Sequence, residues 1–376
     1  MTGVGDRPTA LSSVDGVNRP TAANSAFLRA CHGLPRVAGS PADRVPVWFM
    51  RQAGRSLPEY RALRGQGTIL DAIAKPDLAA EITLQPVHRY GVDAAVLYSD
   101  IVVPISAVGF GVDVAPGTGP VTEQPFASRA DLARIRPLEP ELDTPYVLET
   151  IRILVGELDV PLIGFAGAPF TVASYLVEGR PSRTYARTKA LMRGEPELWH
   201  DLMARLADLA VSSLRSQVEA GASAVQLFDS WVGDLSEADY RQFVRPHTAR
   251  VFDEVADLGV PRIHFGVHTG HLLGAIATTG SEVVGVDWRL PLDVAGTRTG
   301  DGVALQGNLD PALCLAPWSV VEPEVHRVLA EGARHPGGHV FNLGHGVLPE
   351  TDPAILERIV EVVHAEPATG GDPAAA

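Results

Sequence analysis

Cysteine is nearly absent from this 376-residue chain: Cys31 and Cys314 are the only two. Two thiols build neither a disulfide framework nor a thiolate metal cluster, and they fit a reducing, cytoplasmic compartment. Lysine is equally scarce, at Lys75 and Lys189 only, so nearly all of the 31 basic residues are arginines. No apolar run approaches the ~20 residues of a membrane span. The N-terminal stretch lacks the basic start and apolar core of a signal peptide. The formal net charge of −14 argues against a nucleic-acid or membrane-surface role, because both need a basic face. Any anion-binding arginine is therefore a local exception in a repelling field. What is present, 45% hydrophobic residues, describes a globular chain with ample core.

Eight short apolar runs recur: VPVWFM (45–50), AAVLYSD (94–100), VPLIGFAG (160–167), AVQLFDS (224–230), VPRIHFGV (260–267), EVVGVDW (282–288), VALQGNL (303–309) and HVFNLGHG (339–346). Their continuous rather than alternating apolarity suits parallel strands covered on both faces. Helical patterns separate them, most clearly at 77–90, 145–158, 197–220, 237–258, 320–332 and 353–364. Shorter helices are expected at 271–279 and 291–297. This alternation predicts an α/β fold, a single (β/α)₈ TIM-type barrel over residues 25–365. A doubly wound sheet with a second domain is the rival; the count of eight and the lack of a composition break favour the barrel. The long 101–144 connection predicts a small strand–turn–strand insertion after the second strand. Residues 1–24 and 366–376 read as disordered tails.

In a barrel, strand C-termini surround one mouth, where such enzymes place their chemistry. The predicted strands end on Arg51, Ser99-Asp100, the Gly164–Gly167 stretch with Phe165, Asp229-Ser230, His268, Asp287-Trp288, Gly307-Asn308, and Asn342, Gly344, His345 and Gly346. The first of these is the oddest. An apolar strand runs into Arg51, Gln52, Ala53, Gly54 and Arg55, and two arginines four apart can share one side of a helical turn. Paired guanidinium forks suit carboxylates or phosphates; ordinary ion pairs at a strand end are the plainer reading. Asp100 could simply cap a turn, and Ser230 could cap a helix. His345 between glycines can bring an imidazole against a bound molecule. His264 reads as a satisfied core histidine. The HTGH sequence at 268–271 hints at metal, yet no Cys or HExxH pattern completes a ligand set, so no metal site is expected. GFAGAPFT (164–171) lacks both phosphate-loop spacings and reads as a tight apolar wall at the mouth.

Taken in order, RQAGRSLPEYR (51–61), LYSDI (97–101), GFAGAPFT (164–171), YLVEG (175–179), LFDSWVG (227–233), VVGVDW (283–288), LQGNLDP (305–311) and NLGHGVLP (342–349) resemble the uroporphyrinogen decarboxylases over most of the chain. Ser56 stands where that family usually has Tyr. The resemblance implies removal of CO₂ from the four acetates of uroporphyrinogen III, giving coproporphyrinogen III in haem biosynthesis, without metal or organic cofactor. It implies a cytoplasmic homodimer. Protonating a pyrrole carbon makes the ring an electron sink, so the substrate supplies its own. The resemblance assigns substrate binding to Arg51, Gln52, Ala53, Gly54, Arg55, Asp100, Phe165, Tyr175, Ser230 and His345. Asp100, Arg51 and His345 are the catalytic candidates. Asp100 would accept pyrrole N–H groups and stabilise the cationic intermediate, and the proton donor could be Arg51, a water it holds, or His345. A zinc- and corrinoid-linked methyltransferase of the same superfamily and a non-catalytic tetrapyrrole-binding barrel are the alternatives. The first needs a Cys/His set that Cys314 and HTGH do not complete.

Overall fold

The computed structural model describes residues 20–21, 23–40, 42–115 and 118–366. Most of both expected tails, 1–19, 22 and 367–376, lies outside the described residues.

The described residues form nine strands: β1 (Ala95–Val96), β2 (Val112–Ala115), β3 (Gly119–Thr122), β4 (Leu162–Gly167), β5 (Ala224–Asp229), β6 (Arg262–Gly266), β7 (Val283–Gly285), β8 (Ala304–Leu309) and β9 (His339–Leu343). Seven form one sheet in the order β1-β4-β5-β6-β7-β8-β9, with every neighbouring pair parallel. The antiparallel β2–β3 hairpin is the expected insertion. The fold is the predicted α/β barrel.

The eighth place in the barrel belongs to the 45–50 segment, and here the sequence reading needs correction. This segment is extended but makes a single parallel bridge, Val47 with Phe341. It still bonds on both sides. Phe341 N–H donates to the Pro46 carbonyl at 2.8 Å, and Asp93 N–H donates to the Val47 carbonyl at 2.8 Å. Side chains supply what a ladder would have given. Val47 N–H donates to Asp93 Oδ2 at 2.8 Å, Phe49 N–H to Gln52 Oε1 at 3.0 Å, and Met50 N–H to Asn342 Oδ1 at 3.1 Å. Pro46 has no N–H to offer. With Trp48 N–H donating to the Phe341 carbonyl at 3.3 Å, every backbone N–H from 47 to 50 is satisfied, so the seam closes without a regular strand.

Helices on the outside follow the expected order, at Pro76–Tyr90, Pro145–Glu157, Pro196–Ala220, Trp318–Gly332 and Pro353–Ala365. Each begins on a Pro or, for Trp318, directly after Pro317, where a missing N–H costs nothing. The expected 237–258 helix is broken into Glu237–Asp239, a wide turn at Tyr240–Val244, and Arg245–Glu254, with Pro246 unable to donate across the joint. GAPFT is not a wall but a helix start. Pro169 opens the helix Pro169–Glu178, and a further helix, Ala186–Gly194, completes the connection to Pro196. Apolar periodicity hid both, because their faces are buried almost all round or short.

Inside the barrel a polar chain crosses the apolar core. Trp48 Nε1–H donates to Gln306 Oε1 at 3.1 Å, and Gln306 Nε2–H donates to Gln226 Oε1 at 3.0 Å. All three residues are fully or almost fully buried. Such bonds tie the closing segment to β5 and β8 and so fix where residue 51 emerges.

Candidate active site

Arg51 leaves the seam with φ 61°, a left-handed conformation uncommon outside glycine. The turn is locked behind it. Gln52 N–H donates to the Phe49 carbonyl at 2.9 Å, and Leu57 N–H donates to the Gly54 carbonyl at 3.0 Å. A methyl on Gly54 would stand 2.8 Å from the Arg51 carbonyl oxygen, so the turn requires glycine there. The helix starts only at Pro58. The expected helical i,i+4 pairing of Arg51 and Arg55 is therefore absent; a glycine turn separates them. Both side chains are exposed, and neither guanidinium has a hydrogen bond or ion pair among the described residues.

Gln52 plays a different part from the one expected. It is wholly buried, and its amide is spent on the Phe49 N–H and on the Ala94 carbonyl at 3.0 Å. Its side-chain amide holds the arginine turn against the start of β1. Ala53 and Gly54 are half-buried parts of the same turn. Ser56 is buried.

Asp100 follows β1 by four residues. Its Oδ1 accepts the Val102 N–H at 3.0 Å, so the turn-capping reading holds as far as one oxygen goes. Burial pushes its carboxyl above the usual carboxylate range; the Val102 N–H, the Arg51 guanidinium and the Ile101 N–H oppose that push. Tyr175, on the helix Pro169–Glu178, sits within the electrostatic reach of both Asp100 and Arg51. Burial raises its phenol, Asp100 adds to the rise, and Arg51 offsets part of it. Its ring lies 3.8 Å, centroid to centroid, from that of Trp231, in the loop after β5. Ser230 is half-buried between Asp229 and Trp231. Asp229 faces inward, accepting from Thr171 Oγ1 at 2.9 Å and lying 3.4 Å from His264 Nε2. His264 is thus the satisfied core histidine the sequence suggested.

Across the mouth, the β9 loop brings His345 to Arg51. Burial first, then Arg51 and Arg289, lower the imidazole pKa to about 4, with Asp287 opposing. The Gly346 N–H donates to His345 Nδ1 at 2.7 Å. The neutral ring then carries its hydrogen on Nε2, as a donor. Gly346 leaves room for arginine: a methyl there would stand 2.7 Å from Arg51 Cγ and 3.1 Å from Nε. Asp287, at the β7 end, is bonded by the His268 N–H and by Arg289.

Three phenylalanines line the floor in sequence. Phe165 meets Phe228 edge to face at 5.1 Å, Phe228 meets Phe265 at 6.1 Å, and Phe265 lies 6.2 Å from His345. The register pairs Phe228 with Phe265 and Phe265 with Gly285. Gly285 has no side chain because Phe265 occupies that space, 2.7 Å from where a methyl would sit. Phe228, Phe265 and Trp231 were not singled out from sequence; aromatic recurrence at matching strand ends was the available signal.

Arg51, Asp100, Tyr175 and His345 therefore converge above an aromatic floor, and Phe165 and Ser230 flank them. Arg55 stands on the same rim turn. His268 is exposed with φ 60°, and His271 Nε2 is 2.8 Å from the Leu235 carbonyl. Cys314 is buried, its thiol pushed up to about 12 by burial. No group of three or more His, Cys, Asp or Glu side chains among the described residues is placed to hold a metal ion.

The family model described as uroporphyrinogen decarboxylase matches residues 23–366. A uroporphyrinogen decarboxylase from Salinispora tropica is 60% identical over 343 residues, covering 91% of this chain and 90% of its own. Another from Streptomyces griseus is 57% identical over 365 residues, covering 97% of this chain and 98% of its own. Among solved structures, a methyltransferase from Methanosarcina mazei superposes with TM-score 0.73 at 21% identity, covering 90% of this chain and 97% of that one. That last likeness shows a shared fold alone.

Proposed function

The chain belongs to the uroporphyrinogen decarboxylase family, and from that premise we propose how its mouth residues act. It is a carboxy-lyase of porphyrin biosynthesis that converts the acetate side chains of uroporphyrinogen to methyls, giving coproporphyrinogen and four CO₂. The substrate is a tetrapyrrole; we take the III isomer as its natural form.

Each decarboxylation leaves an electron pair on a methylene that cannot hold it. Protonation of the neighbouring pyrrole carbon makes the ring cationic; the C–C bond to the carboxylate then breaks, and its electrons flow into the ring as CO₂ departs. Protonation of the exocyclic carbon and loss of the ring proton restore the pyrrole. A site for this chemistry needs anion binding at its rim and negative charge at its centre. The observation that carries the proposal is that pairing of signs: Asp100 half-buried at the mouth, within the field of Arg51, and no ion pair closing either one.

Asp100 accepts the pyrrole N–H groups and stabilises the cationic ring. Its partial burial leaves that carboxylate a charge without an ion pair, which a cation relieves. Arg51 and Arg55 bind carboxylates. Tyr175 and Ser230 donate to carboxylates or the ring, and Phe165 with its neighbours excludes water. His345, held neutral with Nε2–H outward, serves as a hydrogen-bond donor. Its lowered pKa favours a water on Arg51, or Arg51 itself, as the source of the proton. No helix of the described residues is long and apolar enough to cross a membrane. The family premise supports a cytoplasmic homodimer.

The test is anaerobic incubation with uroporphyrinogen III in the presence of chelator, with products oxidised and separated by carboxylate count. The expected result is loss of the eight-carboxylate species in favour of the four-carboxylate one. A folded enzyme that binds substrate and leaves all eight in place would instead indicate the non-catalytic binder. Turnover abolished by chelator and restored by zinc would favour the metal-dependent reading.

A further inference from the structure

Residues 179–194, GRPSRTYARTKALMRG, hold five basic residues and no acid in a chain of net charge −14. Arg193 is paired with Asp239. The side chains of Arg180, Arg183 and Arg187 are exposed, without hydrogen bond or ion pair among the described residues. Other exposed arginines find carboxylates, as Arg241 does with Glu237 and Arg129 with Asp201.

Topology puts this segment at the mouth. β4 ends at Gly167, and the long helix that returns to β5 begins at Pro196. Everything between stands on the face where strands end. The segment is also tied down. Glu178 Oε1 accepts both the N–H and the hydroxyl of Thr188 at 3.0 Å, and Ser182 Oγ accepts the Tyr185 N–H at 3.0 Å. The Gly179 carbonyl accepts the Thr122 N–H at 2.9 Å, fixing the loop to the hairpin. Tyr185 is buried with φ 49°. Its ring lies 5.0 Å from that of Trp231, which in turn lies on Tyr175. Three rings in tilted contact thus link the loop to Tyr175, which lies in the field of Asp100.

We infer that Arg180, Arg183 and Arg187 form an outer carboxylate-binding rim for the peripheral carboxylates of the substrate while one acetate lies at Asp100. The inference rests on the substrate reading above. A macrocycle with eight carboxylates offers more anions than Arg51 and Arg55 can fork, and the net charge of the protein repels it. An ordered loop of unpaired guanidiniums reverses that field at the entrance. Because each turnover removes one carboxylate, the rim holds the starting octacarboxylate more firmly than the tetracarboxylate product, and so favours capture of one and release of the other.

The test replaces all three arginines with glutamine, and in a second enzyme with lysine, leaving Glu178, Ser182 and Tyr185 untouched. One exposed guanidinium–carboxylate contact contributes a factor of about 2–5, so the glutamine enzyme should show a KM for uroporphyrinogen ~10–100-fold higher at low salt. Its kcat should be unchanged. Wild-type KM should rise with ionic strength and that of the glutamine enzyme should stay flatter, while the lysine enzyme should recover most of the difference. A glutamine enzyme with wild-type KM and salt dependence overturns the rim, and so does an effect confined to kcat. If wild type itself fails to decarboxylate, the reaction reading falls separately. Fluorescence titration of both enzymes with the oxidised octacarboxylate porphyrin at two ionic strengths then decides on the rim: equal affinity would sink it.

Discussion

Replacing Asp100 by Asn separates the charge of this residue from its shape. The amide keeps an oxygen to accept the Val102 N–H, now bonded at 3.0 Å, so the turn after β1 should survive. What disappears is one negative charge facing the reacting ring. For unit charges about 4 Å apart at an effective dielectric near 20, that interaction is worth ~4 kcal/mol, or a fall of roughly 10³ in the rate of the chemical step. Stability should move the other way. Burial raises the Asp100 carboxyl, so the folded state binds its proton more tightly than the unfolded chain. As pH rises through that raised value the ionised group costs stability, and the neutral amide escapes this cost. The expected signature is thus a single-turnover rate for the eight-to-seven carboxylate step lower by about three orders of magnitude, with a Tm equal to or above wild type. A rate within about tenfold of wild type would refute the electrostatic role. A Tm depressed together with the rate would show that Asp100 holds the turn and nothing more.

Gly346→Ala is a sharper probe of Arg51 than removing the arginine. A methyl there would press on Arg51 Cγ and Nε and displace the guanidinium by about an ångström, and misplacements of that size cost on the order of 10²-fold. kcat/KM should fall ~10–100-fold with Tm within a few degrees of wild type; unchanged kcat/KM would remove Arg51 from the working geometry. Acidification should also destabilise the fold well above the carboxylate range. Burial lowers His247, His339 and His345 from the ordinary imidazole value of 6.5 to about 4. Between those values the unfolded chain binds protons that the native state refuses, so stability falls as pH drops, with a slope approaching ~4 kcal/mol per pH unit for three such groups. Urea midpoints that stay level from pH 7 to about pH 4.5 would contradict the burial of these rings.

The barrel was legible because its cue was collective: eight apolar runs alternating with helical patterns leave few topologies. Where a single residue's surroundings decide, sequence was mute or misleading. The 45–50 run has the composition of a strand, but Asp93, Gln52 and Asn342 complete its hydrogen bonds from side chains that lie up to 292 positions away. Gln52 sits inside the most recognisable motif and reads as a ligand contact, yet its amide belongs to the backbone of the seam. Arg51 and Arg55 were spaced for a helical face, and the left-handed residue at 51 with the glycine at 54 put them on a turn instead. Asp100 and His345 come to one mouth because each follows a strand end, which chain order does foretell in this architecture, whereas Tyr175 arrives on the helix Pro169–Glu178.

The distribution of unpaired charge gives these observations a common sense. Around the mouth, Arg51 and Arg55 carry no ion pair, and neither does the half-buried Asp100, whose carboxylate is met by backbone N–H groups. A fold selected for stability alone would let these groups meet, as Arg44 and Asp93 do at 2.7 Å beneath the seam. Keeping them apart leaves the carboxylate in the wrong solvent and the guanidiniums without partners, and a ligand that is anionic outside and becomes cationic inside resolves both at once. A plain polyanion would satisfy the arginines and worsen the surroundings of Asp100. The arrangement therefore discriminates between binding a ring of carboxylates and stabilising a protonated pyrrole within it, and the role proposed for Asp100 is the second.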